Sequence, residues 1–395
     1  MKILFLTQQL PFPPESGGSI KTLQTIKLLA KRHKLYLVCF ASSSKKASFK
    51  KQLENICQRA EVVVSPYPTA QFKDIKGFIF KSLFSPLPFI VYRHKDERME
   101  EIVRHLIKDE QFDAIHIDHL NMATYLPKEK TSLWVLEEHN IESEINWEIF
   151  KKERFDKFKL FSLLEFLKLA FFEKKMLSKF DWILAISEED KKKLAKKGVN
   201  KEKIIFLPTP FKINNLFNFQ KKLPAILFVG MLSWWPNKDG LLWFYKNVFP
   251  LIKKKISDIK FFVVGKEAPQ ELVNLSRKDS HLKLVGYVRN LGNYLNKASV
   301  FVAPLRSGSG IRIKILTALS NGLPVVSTTK GAEGIVGKNR EGIILANGPE
   351  KFAQAIIKII KDKNLAKKLS YEGIDFIKNN FSVKKSAEVL QRIYG

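Results

Sequence analysis

Short apolar runs alternate with longer amphipathic stretches along the whole chain. The stretches between the runs have helical spacing, as in SIKTLQTIKLLAKR at 19–32. This alternation predicts repeated βαβ units and parallel sheets. The predicted strands of the first half cover residues 3–7, 35–40, 61–65, 114–118, 133–137 and 182–187. Those of the second half cover residues 225–230, 260–265, 282–288, 300–305, 323–328 and 343–346.

The repetition of this pattern in both halves predicts an α/β protein with two doubly wound parallel-sheet domains in tandem. A chain of 395 residues is long enough for two domains of ordinary size. The join is expected near 205–224, where three prolines and several asparagines interrupt the periodicity. We therefore place an N-terminal domain at 1–205 and a second domain at 206–377.

Polar residues and glycines stand at the ends of several predicted strands. His119 follows the strand 114–118, and His139 and Asn140 come shortly after the strand 133–137. In the second half, Gly230 and Gly265 end two strands. Open parallel sheets bind ligands at the carboxyl ends of their strands. We therefore expect ligand sites at these positions.

The loop RSGSGIRIK at 306–314 follows one strand and precedes an apolar helical run. Gly308 and Gly310 allow backbone N–H groups to approach a ligand, and the N-terminus of the next helix carries about half a positive charge. The loop also contains three cationic side chains: Arg306, Arg312 and Lys314. A diphosphate fits this chemistry, because a departing diphosphate needs such charge stabilisation. A plain strand–turn–helix with surface arginines is the alternative.

The segment at 304–326, PLRSGSGIRIKILTALSNGLPVV, resembles the donor-site signature of glycosyltransferase family 4, the group 1 transferases. It is most similar to the exopolysaccharide-associated sugar transferases of that family. Further motifs match in order along the chain: GGSIKTLQTIKLLAKRHKLYLV at 17–38, LEEHNIE at 136–142, LFVGMLSWWPNKDGLLWF at 227–244 and VVSTTKGAEGI at 325–335.

The resemblance implies the GT-B architecture, in which two Rossmann-like domains face a central cleft. It places a nucleotide-sugar donor on the second domain and the acceptor on the first, with no metal and no cofactor. It also assigns a C-terminal helix at about 378–395 to the first domain.

The resemblance also assigns residues to the site. Lys238 matches the lysine that contacts the donor phosphates, and His119 matches the first-domain histidine near the reacting sugar. With Arg312 these are the predicted catalytic residues. The predicted acceptor positions are Gly17, Gly18, His139 and Asn140. The predicted donor-binding positions are Gly230, Gly265, Val288, Gly308, Ser309, Gly310, Ile311, Lys314 and Thr317.

Three positions depart from the family pattern. The family has a pair of glutamates where this chain has Ser309 and Thr317, and the second glutamate grips the donor ribose. The arginine that usually precedes the phosphate lysine by six residues is replaced by Leu232. Arg312 is a candidate to supply the missing charge. These departures leave the base and sugar of the donor open, and they make a catalytically inactive relative an alternative.

The chain carries a formal charge of +29, most of it in the second half. Residues 1–200 contain 35 Lys/Arg and 26 Asp/Glu, whereas residues 201–395 contain 33 and 13. An anionic ligand or surface would exploit this excess, but an AT-rich genome would also produce it. No helix-turn-helix, zinc-finger or aromatic–basic RNA motif is present, so nucleic acid is not an expected partner.

Two segments have the composition of a membrane-surface contact. Residues 150–180 contain nine Lys/Arg, four Asp/Glu and many phenylalanines, and 77–92 is rich in apolar residues. Basic, aromatic helices bind anionic bilayers at the interface. Packing of both segments within the first domain is the alternative. No stretch of the sequence is long and apolar enough to span a bilayer, and two cysteines indicate a reduced protein. We expect a cytoplasmic protein, with peripheral attachment to the inner face of the membrane as one possibility.

These observations predict a hexosyltransferase that moves sugar from a UDP- or GDP-sugar to a glycan or lipid-linked acceptor, in the synthesis of cell-surface polysaccharide or lipopolysaccharide. Retention of the anomeric configuration follows from the resemblance. The alternatives are an inactive GT-B binding or partner subunit, a GT-B sugar-nucleotide epimerase, and a basic membrane scaffold.

Overall fold

The computed structural model describes residues 1–14, 16–41, 46–64, 72–152, 157–213, 224–308, 310–335 and 341–395. The chain forms two compact units. Unit 1 contains Met1–Thr209 and Ala387–Gly395, and unit 2 contains Pro210–Ser386.

Unit 1 is built on a parallel sheet with the strand order β3-β2-β1-β4-β5-β6-β7 among the described residues. Its strands are β1 (Lys2–Thr7), β2 (Lys34–Ala41), β3 (Arg59–Val64), β4 (Ala114–Asp118), β5 (Leu133–Glu138), β6 (Trp182–Ala185) and β7 (Ile204–Phe206). Six of them were predicted. The seventh, β7, lies at the predicted join. It was not predicted, because a three-residue strand is too short to give a periodic signal.

The helices of unit 1 cover both faces of this sheet. They are α1 (Gly17–Leu29), α2 (Lys46–Glu54), α3 (Phe72–Leu83), α4 (Phe89–Tyr92), α5 (Glu97–Asp109), α6 (Glu142–Lys152), α7 (Lys157–Leu177) and α8 (Glu188–Lys196). Local sequence explains their starts. Ser16 and Ser19 form a capping box at α1, and the Asp96 carboxylate accepts hydrogen bonds from two backbone amides of α5.

Unit 2 contains a second parallel sheet, with the order β10-β9-β8-β11-β12-β13. Its strands are β8 (Ala225–Val229), β9 (Lys260–Val264), β10 (Leu282–Gly286), β11 (Val300–Ala303), β12 (Val325–Ser327) and β13 (Ile343–Leu345). The α-helices are α9 (Trp235–Trp243), α10 (Phe249–Lys253), α11 (Gln270–Lys278), α12 (Gly292–Lys297), α13 (Ile313–Ser320), α14 (Pro349–Lys361) and α15 (Lys363–Asn380).

The buried core explains why the strands read as continuous apolar runs. Both faces of each sheet are covered, so β1 and β11 are almost completely buried. The helices bury one stripe each, as with Phe352, Ile356 and Ile359 in α14. The predicted fold class, two Rossmann-like units with doubly wound parallel sheets, is confirmed.

Unit 1 includes the last helix, α16 (Val383–Tyr394), from Ala387 onward. Leu390, Ile393 and Tyr394 are buried in the core that lies against β1 and α1. Cys39 and Cys57 are buried free thiols. None of the helices in the described part of the chain combines the length and apolar character needed to cross a bilayer.

Candidate functional site

In unit 1 the strand order reverses between β1 and β4, and this is where open α/β sheets bind ligands. Thr7 ends β1 and pairs in register with Asp118, which ends β4. The Asp118 carboxylate is fully buried. It accepts hydrogen bonds from the hydroxyls of Thr7 at 2.6 Å and of Thr22, on α1, at 2.9 Å. The carboxylate is therefore fixed at the ligand-binding end of the sheet.

Asp118 also holds two histidines side by side. Its Oδ2 lies 3.1 Å from Nδ1 of His119, and its Oδ1 lies 2.6 Å from Nε2 of His139. The two rings stack with centroids 3.8 Å apart. We call His119 and His139 the histidine pair. His119 has a φ of 77°, a conformation that a non-glycine residue adopts at a cost of about 1–3 kcal/mol and that clusters at functional sites.

The nitrogens of the histidine pair that do not bond Asp118 face the same space beside α1. A Cβ atom added to Gly18 would lie 3.7 Å from Nδ1 of His139, 3.9 Å from Nε2 of His119 and 3.4 Å from Nε2 of Gln9. Gly18 therefore leaves room for a ligand atom next to the pair. Gly17 begins the same helix. The Asn140 side chain is hydrogen-bonded to the Glu142 carboxylate.

Burial and neighbouring charges shift the pKa values of the two histidines in opposite directions. Burial opposes ionisation of Asp118, but the two histidines hold its pKa well below the usual value. Burial also opposes the charge on His119, but Asp118 outweighs it and raises the His119 pKa. Burial, together with the neighbouring His119 charge, lowers the pKa of His139. Near pH 6.5 the favoured state is therefore a protonated His119 beside a neutral His139.

This state fixes the hydrogen-bonding roles of the pair. A carboxylate only accepts hydrogen bonds, so both rings donate to Asp118. Protonated His119 then presents an N–H at Nε2, and neutral His139 presents a lone pair at Nδ1. The site therefore offers one donor and one acceptor to the space beside Gly18, which suits a hydroxyl group.

A second buried network lies beside the histidine pair, and the sequence analysis did not predict it. Glu137 on β5 pairs with Lys21 on α1 at 2.8 Å and with Nε2 of His116 at 3.2 Å. Nδ1 of His116 lies 2.6 Å from the hydroxyl of Tyr394. Burial opposes ionisation of Glu137, yet Lys21 and His116 lower its pKa to about 2. The only sequence signal for this network was polar residues inside apolar runs.

We predict opposite titrations for the two histidines. The pKa of His119 is raised, so its contribution to folding stability is full below about pH 6.5 and is lost as the pH rises through the folded pKa. The pKa of His139 is lowered, so its contribution is present above about pH 6.5 and is lost as the pH falls through the folded pKa. The combined contribution is largest near pH 6.5.

NMR titration of the imidazole resonances measures both values. The resonance absent from His119→Gln should titrate above pH 6.5, and the one absent from His139→Gln should titrate below it. The reverse order would contradict the assignment of the proton to His119.

Asp118, His119 and His139 are also the one group among the described residues whose ligand atoms, all within 4.8 Å, could hold a metal ion. Both carboxylate oxygens, however, already accept hydrogen bonds from the two rings and two threonines. These contacts satisfy Asp118 without a metal, so the geometry favours a hydrogen-bonding site.

In unit 2 the strand order reverses between β8 and β11. Gly230 follows β8 and the loop with Gly308, Gly310 and the half-buried Ile311 follows β11. Both glycines have positive φ, 97° and 80°, which explains why glycine stands at these positions. Ser309 lies outside the described residues. The loop leads into α13, which starts after Arg312.

Two cationic side chains of this segment lie at the reversal point. The Arg312 guanidinium is buried, donates from Nη1 to the Gly310 carbonyl at 3.0 Å and lies 5.9 Å from the Trp234 ring. Nζ of Lys314 donates to Oδ1 of Asn237 at 2.5 Å, and it lies 2.9 Å from where a Gly230 Cβ would be. Burial lowers the pKa of Lys314 well below its usual value, and the Arg312 charge adds to this effect. An anion bound here would stabilise the charged form of Lys314 and raise its pKa again.

The structure separates Arg306 from these two cations. Its guanidinium makes two contacts with the Asp239 carboxylate on α9, at 3.0 and 2.5 Å. Its charge is therefore already paired. Lys238, next to Asp239 in the first turn of α9, is half-buried, and Asn237, the partner of Lys314, precedes it.

Two of the positions that depart from the family pattern, Leu232 and Thr317, lie in the described part of the chain. Leu232 is fully buried in the core of unit 2. The Thr317 hydroxyl donates to the Ile313 carbonyl of its own helix at 2.9 Å. Neither side chain offers a charge at these positions.

The remaining predicted donor positions follow neighbouring strands of the same sheet. A Cβ at Gly265 would lie 1.8 Å from the Gly230 carbonyl oxygen. The backbones that follow β8 and β9 are therefore in contact, and only glycine fits at position 265. Val288 is half-buried and lies two residues beyond β10. Gly230, Gly308, Arg312 and Lys314 thus lie together, and Val288 lies toward the edge of the sheet.

Part of the chain matches a known family model. Residues 223–362 match the family model described as glycosyl transferases group 1. The chain is 25% identical over 406 residues to an uncharacterized 44.6 kDa protein in the cps region of Klebsiella pneumoniae, with 97% of each chain covered.

Two solved structures share the fold. HepE of Anabaena, in complex with UDP, superimposes with a TM-score of 0.66 at 14% identity, covering 99% of each chain. WaaG, a glycosyltransferase involved in lipopolysaccharide biosynthesis, superimposes with a TM-score of 0.63 at 13% identity, covering 100% of each chain.

Proposed function

We propose that this chain, which has the GT-B fold and matches the group 1 glycosyl transferases over residues 223–362, moves a hexose from a nucleotide diphosphate sugar to an acceptor hydroxyl. The observation that carries the proposal is that Arg312, beside Gly308, and Lys314, beside Gly230, both lie at the strand reversal of unit 2. A buried guanidinium and a half-buried ammonium close to each other favour an anionic ligand with more than one charge. A diphosphate meets that requirement.

In this proposal unit 2 binds the donor. Arg312, Lys314 and Lys238 contact the two phosphates, and the backbone amides at Gly308 and Gly310 and the N-terminus of α13 add further donors. As the sugar–oxygen bond breaks, negative charge grows on the departing diphosphate, and these preorganised cations stabilise it. UDP in the complex of the similar Anabaena protein supports a UDP-sugar as the first donor to test.

Unit 1 supplies the histidine pair. We propose that the Nε2–H of His119 donates to a sugar hydroxyl and that Nδ1 of His139 accepts from one, with Gly18 leaving the space for them. Asp118 positions both rings. The involvement of WaaG in lipopolysaccharide biosynthesis supports a glycan or lipid-linked acceptor. The resemblance of the 304–326 segment to retaining family members supports retention of configuration.

A catalytically inactive binding subunit is the second candidate. The buried Leu232 and the self-satisfied Thr317 favour it, because the family places charged side chains at both positions. Such a subunit would still bind a nucleotide sugar, and it would release no nucleoside diphosphate.

A thermal-shift screen with UDP-, GDP-, ADP- and CMP-sugars tests the donor assignment. A nucleotide diphosphate sugar at a concentration 100 times its Kd should stabilise the fold by about 2.7 kcal/mol, since the ligand binds only the folded state. Lys238→Ala should remove most of the shift. The control Lys254→Ala, an exposed lysine elsewhere in unit 2, should keep it. Equal shifts in both variants would exclude Lys238 from the donor site.

A further inference from the structure

Two helices of unit 1 carry nearly all of its exposed large apolar side chains. Seven such residues are exposed in the described part of unit 1, and six of them lie on α3, just after it, or on α7. They are Phe80, Leu83, Phe84, Leu160, Leu167 and Phe171, with exposures of 39–79%. Single exposed apolar residues are normal on protein surfaces, whereas a concentration of this kind marks an interaction surface. We call these six residues the apolar face.

The apolar face belongs to one packed element. Leu160, Leu167 and Phe171 are spaced by seven and four residues, so they lie on one side of α7. Nζ of Lys168 on α7 donates to the Ser82 carbonyl near the end of α3 at 2.7 Å. Farther along, the Glu165 carboxylate accepts from the Phe89 amide at 2.6 Å. These bonds hold α3 and α4 against α7.

The exposed charges described on α7 are of one sign. The exposed side chains described on α7 are the three apolar residues plus Lys174 and Lys175. The acidic residues in the described part of the same helix, Glu165 and Glu173, are buried and bonded to other groups of unit 1. Lys81 is exposed on α3. A partner that covers this surface therefore meets apolar groups beside uncompensated positive charge.

A cavity of about 690 Å³ adjoins the end of the apolar face. Its lining includes Phe171 together with four lysines: Lys174, Lys175, Lys197 and Lys203. Lys197 is neutralised by Glu173 and Glu144 at 3.3 and 3.7 Å. Lys174 and Lys175 remain exposed at the rim. The cavity is large enough for a polar headgroup and has the sign of charge that attracts an anionic one.

We propose that α3 and α7 form a membrane-docking surface for bilayers that contain anionic lipid, with the apolar face in the interface and the lysines of the cavity on the headgroups. Aromatic and leucine side chains flanked by lysine are the chemistry of interfacial helices. Anionic lipid attracts each nearby lysine, and salt screens this attraction. The surface goes beyond the proposed donor and acceptor sites and does not depend on them.

Co-sedimentation with vesicles tests the proposal without any nucleotide sugar. The full chain should bind vesicles of equal parts phosphatidylcholine and phosphatidylglycerol, and it should bind pure phosphatidylcholine at least about tenfold more weakly. The double variants Phe84→Ser/Phe171→Ser and Lys174→Glu/Lys175→Glu should each lower binding to the mixed vesicles about tenfold or more. All four side chains are exposed, so the fold should survive, which thermal unfolding checks.

Two matched controls lie in unit 2. Tyr371→Ser removes an aromatic side chain that is 60% exposed, and Lys254→Glu/Lys255→Glu reverses an exposed lysine pair. Both should bind vesicles like the parent protein. Equal losses in test and control variants, or no binding by the parent protein, would overturn the proposal. A third result would also overturn it: the parent protein does not bind vesicles and forms a dimer, and Phe84→Ser/Phe171→Ser dissociates that dimer. A second copy of the chain would then cover the apolar face.

Discussion

Arg312→Ala is expected to lower the rate of sugar transfer by about 10²–10³-fold, the loss typical for removal of one preorganised group that stabilises transition-state charge. Arg312 is buried at the strand reversal of unit 2, beside the glycine loop and close to Trp234. Its charge would act on the departing diphosphate, so the loss should appear in kcat more than in KM. Steady-state kinetics with the donor identified by thermal shift measures both.

Arg306→Ala is the matched control for this variant. Arg306 lies in the same loop, but its guanidinium is exposed and bound to the Asp239 carboxylate. Its removal should change kcat less than about tenfold, since exposed ion pairs contribute little. Arg312→Lys should recover part of the activity, and thermal unfolding should show that all three variants fold. Similar losses for Arg306→Ala and Arg312→Ala would mean that general loop damage, and not the buried charge, limits transfer.

Gly18→Ala is expected to lower transfer about 10²-fold while leaving the fold as stable or more stable. The new methyl group would contact Gln9 and both free nitrogens of the histidine pair at 3.4–3.9 Å, which the protein accommodates without strain. It would occupy the space proposed for the sugar hydroxyls, and a misplacement of about 1 Å costs about 10²-fold. Alanine in place of helical glycine stabilises by about 0.5–1 kcal/mol.

Gly77→Ala is the control that separates the effect of alanine on stability from its effect on sugar transfer. Gly77 is an exposed glycine of α3 with open space around it, so alanine there should change stability in the same direction and leave transfer unchanged. The free energy of unfolding and kcat/KM of both variants complete the comparison. If Gly18→Ala transfers sugar at the parental rate, the space beside the histidine pair is not the acceptor site.

The strands were predictable because the sheets are buried on both faces. Runs such as 3–6 and 300–305 are apolar throughout, and parallel strands covered by helices require this. The strand ends were informative for the same reason, since polar residues such as His119 and His139 stand out directly after apolar runs. The glycines at 308 and 310 were recognisable from their position before a helix.

Pairing between distant residues was not predictable. The sequence does not reveal that Asp239 neutralises Arg306, because the two are brought together only by the neighbouring ends of β8 and β11. It likewise does not reveal that Lys21, Glu137 and His116 form one buried network, since each comes from a different element. The depressed pKa of Lys314 follows from enclosure by folded neighbours, which no local pattern encodes.

The proposed reaction breaks the bond between a sugar and a nucleoside diphosphate. Mass spectrometry of the purified protein incubated with each nucleotide sugar, with and without glycan and lipid-linked acceptors, measures this directly. We expect release of a nucleoside diphosphate that is faster with acceptor and is matched by sugar on the acceptor. This release should be lost in Arg312→Ala. Tight binding of a nucleotide sugar with no release of nucleoside diphosphate under any of these conditions would contradict it.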